Sequence, residues 1–131
     1  MAGILLVTHN GLGDSFVDCI RHVLGELPRD LEVLSVLAGD DPQQKVIEGH
    51  ALIKKLDRGN GVLILADIFG ATPSNVGRQL CCNAERVMGV AGANLPMLLR
   101  VMCSSSKNLA ELAQIAFEGG RECIVHMEDP C

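Results

Sequence analysis

Short aliphatic runs alternate along this chain with stretches whose apolar residues recur every three or four positions. That alternation leaves few architectures open. Gly3–Val7 (GILLV) and Val62–Ala66 (VLILA) carry almost no polar side chain, as suits strands covered on both faces. Between them, Phe16, Ile20, Val23, Leu24 and Leu27 predict an amphipathic helix from Asp14 to Leu27, stopped at Pro28. Leu31–Leu37 reads as a second strand. Asp40 then predicts a helix cap with Gln43 as its capping-box partner and Pro42 in the first turn. Val46, Ile53 and Leu56 form the inner stripe of that helix, and Gly59-Asn60-Gly61 is a turn signal.

After VLILA, Thr72 reads as an N-cap with Pro73 next, so a short helix is predicted from Pro73 to about Leu80. Arg86–Ala91 is a fourth strand. Asn94 opens a further helix, interrupted at Ser104-Ser105-Ser106. Leu109, Leu112, Ala113 and Ala116 mark another, expected to stop at Gly119-Gly120. Glu122–Met127 reads as a last short strand. Strands joined by helices run parallel, with right-handed crossovers. The predicted fold class is α/β: one domain over residues 1–131, an open, mainly parallel sheet with helices on both faces.

Composition narrows the function. Three Phe and no Trp or Tyr make the core aliphatic. A net charge of −5 gives no electrostatic drive toward nucleic acid or anionic lipid. No apolar stretch reaches membrane-spanning length, and Met1-Ala2-Gly3 lacks a basic leader, so a cytoplasmic location is expected. Six cysteines include no CxxC spacing. They are expected to be reduced and mostly buried, forming neither a disulfide framework nor a zinc site.

Ligands of such sheets bind beyond the carboxyl ends of the strands, where strand order reverses. With the order 2-1-3-4, strands 1 and 3 flank that point and bring His9 to Asp67. A carboxylate accepting from one imidazole nitrogen fixes the tautomer and leaves the other nitrogen as nucleophile or base. The loop Gly70-Ala71 leads to a helix start carrying Thr72 and Ser74, whose amides and hydroxyls can form an anion site. These are the parts of a phosphorylated histidine: nucleophile, orienting carboxylate and phosphoryl cradle. Each also has a plain structural role, His9 as a loop residue, Asp67 as a turn cap and Thr72-Pro73 as a helix start. His22, His50 and His126 read as ordinary structural or solvated residues. A nucleotide- or flavin-binding module is the alternative. Gly11-x-Gly13-x-x-Phe16 approaches a dinucleotide fingerprint, but Phe16 stands where a third glycine should allow close packing.

With "VTHNG" (7–11), "GVLILADIFGATPSN" (61–75), "VAGANLPML" (90–98) and "EGGRE" (118–122), the chain resembles the enzyme IIA proteins of the mannose-type sugar phosphotransferase system along nearly its whole length. The resemblance implies a phosphocarrier without cofactor or metal. It takes a phosphoryl group from HPr on His9, held by Asp67, with Thr72 near the phosphoryl group, and passes it to an enzyme IIB partner. It implies a homodimer, peripheral to a membrane permease at most, and an antiparallel final strand, Glu122–Met127, exchanged between protomers in some members. The phosphotransferase subunit of dihydroxyacetone kinase is a related alternative, and the Thr-Pro-x-Asn block favours the mannose-type group over it. Many members carry Gly-Gly before the Ser/Thr-Pro. Gly70-Ala71 stands here, which alanine accepts without strain only if φ at 71 is negative.

Overall fold

The computed structural model describes residues 1–27, 30–82 and 84–128; Pro28 and Cys131, both singled out in the sequence, lie outside them. Among the described residues strands and helices alternate as far as a closing pair of helices: β1 (Gly3–His9), α1 (Leu12–Leu24), β2 (Leu31–Val36), α2 (Pro42–Leu56), β3 (Val62–Ala66), α3 (Thr72–Cys81), β4 (Val87–Ala91), α4 (Leu95–Met102) and α5 (Leu109–Glu122). The four strands form one sheet in the order β2-β1-β3-β4, every pair parallel. The order agrees with the expected 2-1-3-4, so the switch point falls between β1 and β3.

Strand parity divides the core. Ile4, Leu6, Leu63 and Leu65 face α1, α4 and α5, where they meet Ile20, Leu98, Val101, Leu112 and Ala116. Leu5, Val7, Val62 and Ile64 face α2 and α3, where they meet Leu56, Val76 and Leu80. Successive side chains of a strand point to opposite faces, so Thr8 lies on the α1 side and His9 on the α3 side of the sheet.

The expected final strand is absent. Glu122 closes α5, and residues 123–128 make no ladder with the sheet, which is parallel throughout. Ile124 (77% exposed), Val125 (72%) and Met127 (97%) have strand-like side chains but no strand beside them in this chain. The glycines expected to stop the last helix lie inside it, buried. A Cβ on Gly119 would stand 2.9 Å from Arg100 Cδ, and one on Gly120 would stand 2.8 Å from Met97 Cε. These glycines let α5 press against α4 rather than end it. Asn94 locks that contact, its side chain accepting from the Met97 amide (2.9 Å) and donating to the Gly120 carbonyl (3.0 Å).

Two caps shift by one residue. Asp41, not Asp40, caps α2 by accepting from the Gln43 amide at 3.0 Å. The Asp40 carboxylate instead turns back to the Leu37 amide at 2.7 Å. Ala71 is the N-cap of α3, which makes Thr72 the first helical residue rather than the cap. The cysteines also differ from expectation. Cys19, Cys82 and Cys103 are exposed and Cys81 and Cys123 are half-buried, so none of the described five is a core thiol.

The two glycines of Gly11-Leu12-Gly13 do different work. Nothing lies within 4 Å of a Cβ placed on Gly11, whereas one on Gly13 would stand 2.6 Å from Val33 Cγ1 and 2.8 Å from Thr8 Oγ1. Overpacking of this kind costs about 1–3 kcal/mol. The gain from alanine over glycine in a helix is about 0.5–1 kcal/mol and does not offset it. Gly13→Ala is therefore expected to lower the midpoint of urea unfolding, and Gly11→Ala, which meets no neighbour and changes only the N-cap of α1, to lower it less. Equal midpoints for the two variants would contradict the packing account.

Candidate functional site

His9 is the last residue of β1 and Asp67 the first beyond β3. Register brings them together: the β1–β3 ladder ends at Val7 opposite Ala66, so Asp67 leaves β3 beside the last two residues of β1, where His9 is still paired with Val36 of β2. Asn10, with φ 44, then turns the chain sharply, a left-handed conformation that asparagine tolerates. Its amide donates to the Val36 carbonyl at 3.0 Å, which ties the end of β1 to β2.

The Asp67 carboxylate takes three hydrogen bonds. Oδ2 accepts from the His9 backbone amide at 2.9 Å and lies 2.8 Å from His9 Nδ1, while Oδ1 accepts from the Ile68 amide at 2.9 Å. Burial works to raise the Asp67 pKa. The His9 amide, the His9 ring and the Ile68 amide outweigh it and hold the carboxyl below its ordinary value of 3.8. Asp67 is therefore an acceptor only at neutral pH. Nδ1 of His9 must carry the hydrogen of the shared contact, and in the neutral imidazole Nε2 keeps the lone pair. The Asp67 side chain is 7% exposed and that of His9 46% exposed. A fixed carboxylate thus holds a ring open to solvent.

The lowered pKa of Asp67 sets the sign of its effect on stability. A folded-state pKa below the unfolded value adds stability that is fully present above the unfolded value and lost as pH falls through the folded one. Stability is expected to be flat in this respect from neutral pH down to about pH 4 and to fall below 3.8. Asp67→Asn should flatten that acid limb in urea titrations at a series of pH values. A limb of unchanged slope would contradict the assignment.

The loop after Asp67 turns at Gly70, whose φ of 87 needs glycine, while Ala71 is extended at φ −113 and unstrained. Ser74, one turn on, is buried. Its Oγ accepts from the Gly70 amide at 2.9 Å and the Ala71 amide at 3.2 Å, and its hydroxyl donates to the Ala71 carbonyl at 3.0 Å. Thr72 is exposed, and its hydroxyl makes no hydrogen bond among the described residues. His9 and Asp67 are thus in contact. Of the four residues nominated for the cradle, Gly70, Ala71 and Ser74 bond to one another and Thr72 stands free. Among the described residues, no group of three or more His, Cys, Asp or Glu side chains is arranged to hold a metal.

Two residues, Thr8 and Arg78, were not singled out from the sequence. Thr8 is wholly buried, and its Oγ1 accepts from the Gly13 amide at 2.8 Å, fastening the first turn of α1 beneath His9. The one available signal was a polar residue at an apolar-parity position of an otherwise aliphatic strand. The same bond uses the Gly13 amide that a dinucleotide loop would offer to a pyrophosphate. Arg78 lies over the Phe69 ring, 5.8 Å from its centroid, and steadies a phenyl group that is 71% exposed. Leu12, Leu37 and Ile68 also stand exposed at this pole of the sheet. A recess of about 480 Å³ beside the loop is lined by Phe69, Ser74, Arg78 and Cys81 and by β4, and contains neither His9 nor Asp67.

Fold and site together define a class: an open parallel α/β protein that presents a carboxylate-held histidine on its surface. Residues 3–116 match the family model described as PTS system fructose IIA component (EIIA-man), and the chain belongs to that family. It is 27% identical over 121 residues to the mannose-specific EIIAB component of Escherichia coli K12, covering 91% of this chain and 37% of that protein. It is 26% identical over 136 residues to the fructose-specific EIIA component of Bacillus subtilis 168, covering 98% of this chain and 90% of that protein. Among solved structures, the mannose/sorbose specific IIA subunit from Enterococcus faecalis superposes with a TM-score of 0.88 at 27% identity, over 98% of this chain and 96% of that one. The chain spans 37% of the length of its EIIAB relatives. No described helix is long and apolar enough to cross a membrane.

Proposed function

We propose that residues 1–131 form one enzyme IIA domain of the mannose type, a phosphocarrier that takes a phosphoryl group from HPr on His9 and passes it to an enzyme IIB partner, in sugar uptake or its regulation. The observation that carries this reading is the contact of exposed His9 with buried Asp67 at the switch point. Family membership and the Bacillus subtilis relative, whose name gives it as a fructose-specific EIIA component, support the same reading.

In the forward step the Nε2 lone pair of His9 attacks the phosphorus of the donor's phosphohistidine. A new N–P bond forms, the donor's N–P bond breaks, and its electron pair returns to the donor imidazole. Nδ1–H stays on His9, hydrogen-bonded to Asp67, whose charge balances the positive charge that develops on the ring. The second step repeats this displacement on the acceptor's histidine. The parts act by position and electrostatics, and the step needs no cofactor or metal. A histidine on an open surface suits handoff between proteins, and exposed Leu12 and Phe69 belong to the face against which such partners would dock. The reading places the protein in the cytoplasm, as a homodimer, peripheral to a membrane permease at most. The test is intact mass after incubation with phosphoenolpyruvate, enzyme I and a cognate HPr. One acid-labile phosphoryl group per chain is expected, and none would reject the reading.

A further inference from the structure

Thr8 and Ser74 are the only buried polar residues among the described ones. Both lie at the His9 pole, and each spends its hydroxyl on amides at the start of a helix. A hydroxyl offers one hydrogen and two lone pairs. Ser74 uses all three, on the Gly70 amide, the Ala71 amide and the Ala71 carbonyl. A phosphoryl oxygen can find no free valence there. Nor can it use the Gly70 and Ala71 amides while Ser74 holds them.

At the start of α3 the donors that remain are few and adjacent. The first turn of a helix leaves its amides without intrahelical partners. In α3, Pro73 has no N–H, and the Asn75 amide donates to the Ala71 carbonyl at 3.0 Å. That leaves the Thr72 and Ser74 amides, together with the exposed Thr72 hydroxyl.

Resting on the phosphocarrier reading, we infer that Ser74 is a positioning residue and not a phosphoryl ligand: it commits the Gly70 and Ala71 amides to the loop and leaves the phosphoryl group to the Thr72 hydroxyl and the Thr72 and Ser74 amides. Its hydroxyl also substitutes for rigidity at the Gly70 turn. Gly70 has no side chain of its own, and nothing lies within 4 Å of where one would start, so at that residue the hydrogen bond from its amide to Ser74 is the contact that holds the turn. Ser74 therefore acts on transfer through Thr72.

The test has two arms. In the first, nitrogen-15 NMR spectra of the whole chain are recorded before and after phosphorylation by HPr, enzyme I and phosphoenolpyruvate. The Thr72 and Ser74 amide signals are expected to move strongly, and those of Gly70 and Ala71 much less. Gly70 and Ala71 moving most would overturn the inference. In the second, transfer rates are compared for wild type, Thr72→Ala, Ser74→Ala and the double variant. Ser74→Ala is expected to slow transfer by about tenfold to a hundredfold, the scale of a misplaced catalytic group. The KM for phosphorylated HPr should be unchanged, and the double variant should be no slower than the slower single one, because both changes remove the same contact. Additive losses, or a Ser74→Ala rate equal to wild type, would overturn it. A wild type that takes no phosphoryl group overturns the phosphocarrier reading itself; a wild type that takes one, with additive losses, overturns only the role of Ser74.

Discussion

His9→Ala is expected to carry no acid-labile phosphoryl group after exposure to phosphoenolpyruvate, enzyme I and HPr, under conditions in which the unaltered chain is fully converted. The loss should be complete rather than partial. His22, His50 and His126 are all exposed, but none has the Asp67 carboxylate that fixes the imidazole of His9. Substitution at His9 should leave the fold intact, because the ring is 46% exposed and the backbone bond from its amide to Asp67 does not need the side chain. Circular dichroism and the urea midpoint provide that control. Phosphorylation of His9→Ala at the normal level would remove the site from this pole of the sheet.

Asp67→Ala should phosphorylate slowly rather than not at all. A hydrogen bond to a charged group contributes about 1.5–3 kcal/mol, which at about 1.4 kcal/mol per factor of ten is roughly ten- to a hundredfold in rate. The carboxylate also fixes which way the ring faces, and loss of orientation adds about another factor of ten or more. A combined fall of about 10²- to 10³-fold follows. The KM for phosphorylated HPr should stay near its normal value, because a side chain 7% exposed offers a docking partner little surface. A rate within twofold of wild type would show that the 2.8 Å contact positions nothing of consequence.

Much of this arrangement was legible in residue order. Gly3–Val7 and Val62–Ala66 are so uniformly apolar that no exposed element accommodates them, and both are buried strands. Parallel pairing of β1 with β3 then places the residues after each strand together, so His9 and Asp67 follow from topology. What eluded the sequence was competition between near-equal choices. Asp40 and Asp41 can each cap α2, and the contest is settled by the Leu37 amide, which engages the first. A pair of glycines can end a helix or admit a neighbour, and only the stems of Arg100 and Met97 decide for the second at 119 and 120. Residues 122–127 have strand composition, but a strand also needs an edge, and no composition reveals whether one is within reach. The facing of the hydroxyls after β3 was hidden in a similar way. Hydroxyls at a helix start suggest an anion site, and whether they face outward, as Thr72 does, or inward, as Ser74 does, depends on packing.

The two buried hydroxyls also bear on how this pole moves. Amide hydrogens at the beginnings of helices and in tight turns ordinarily trade places with solvent quickly, since nothing in the helix holds them. Those of Gly13, Gly70 and Ala71 are held by Thr8 and Ser74. In deuterated water they should linger while their neighbours in sequence vanish. The pole that carries His9 is then expected not to be the loosest part of the molecule: the imidazole is open to solvent, while the amides beneath it are held.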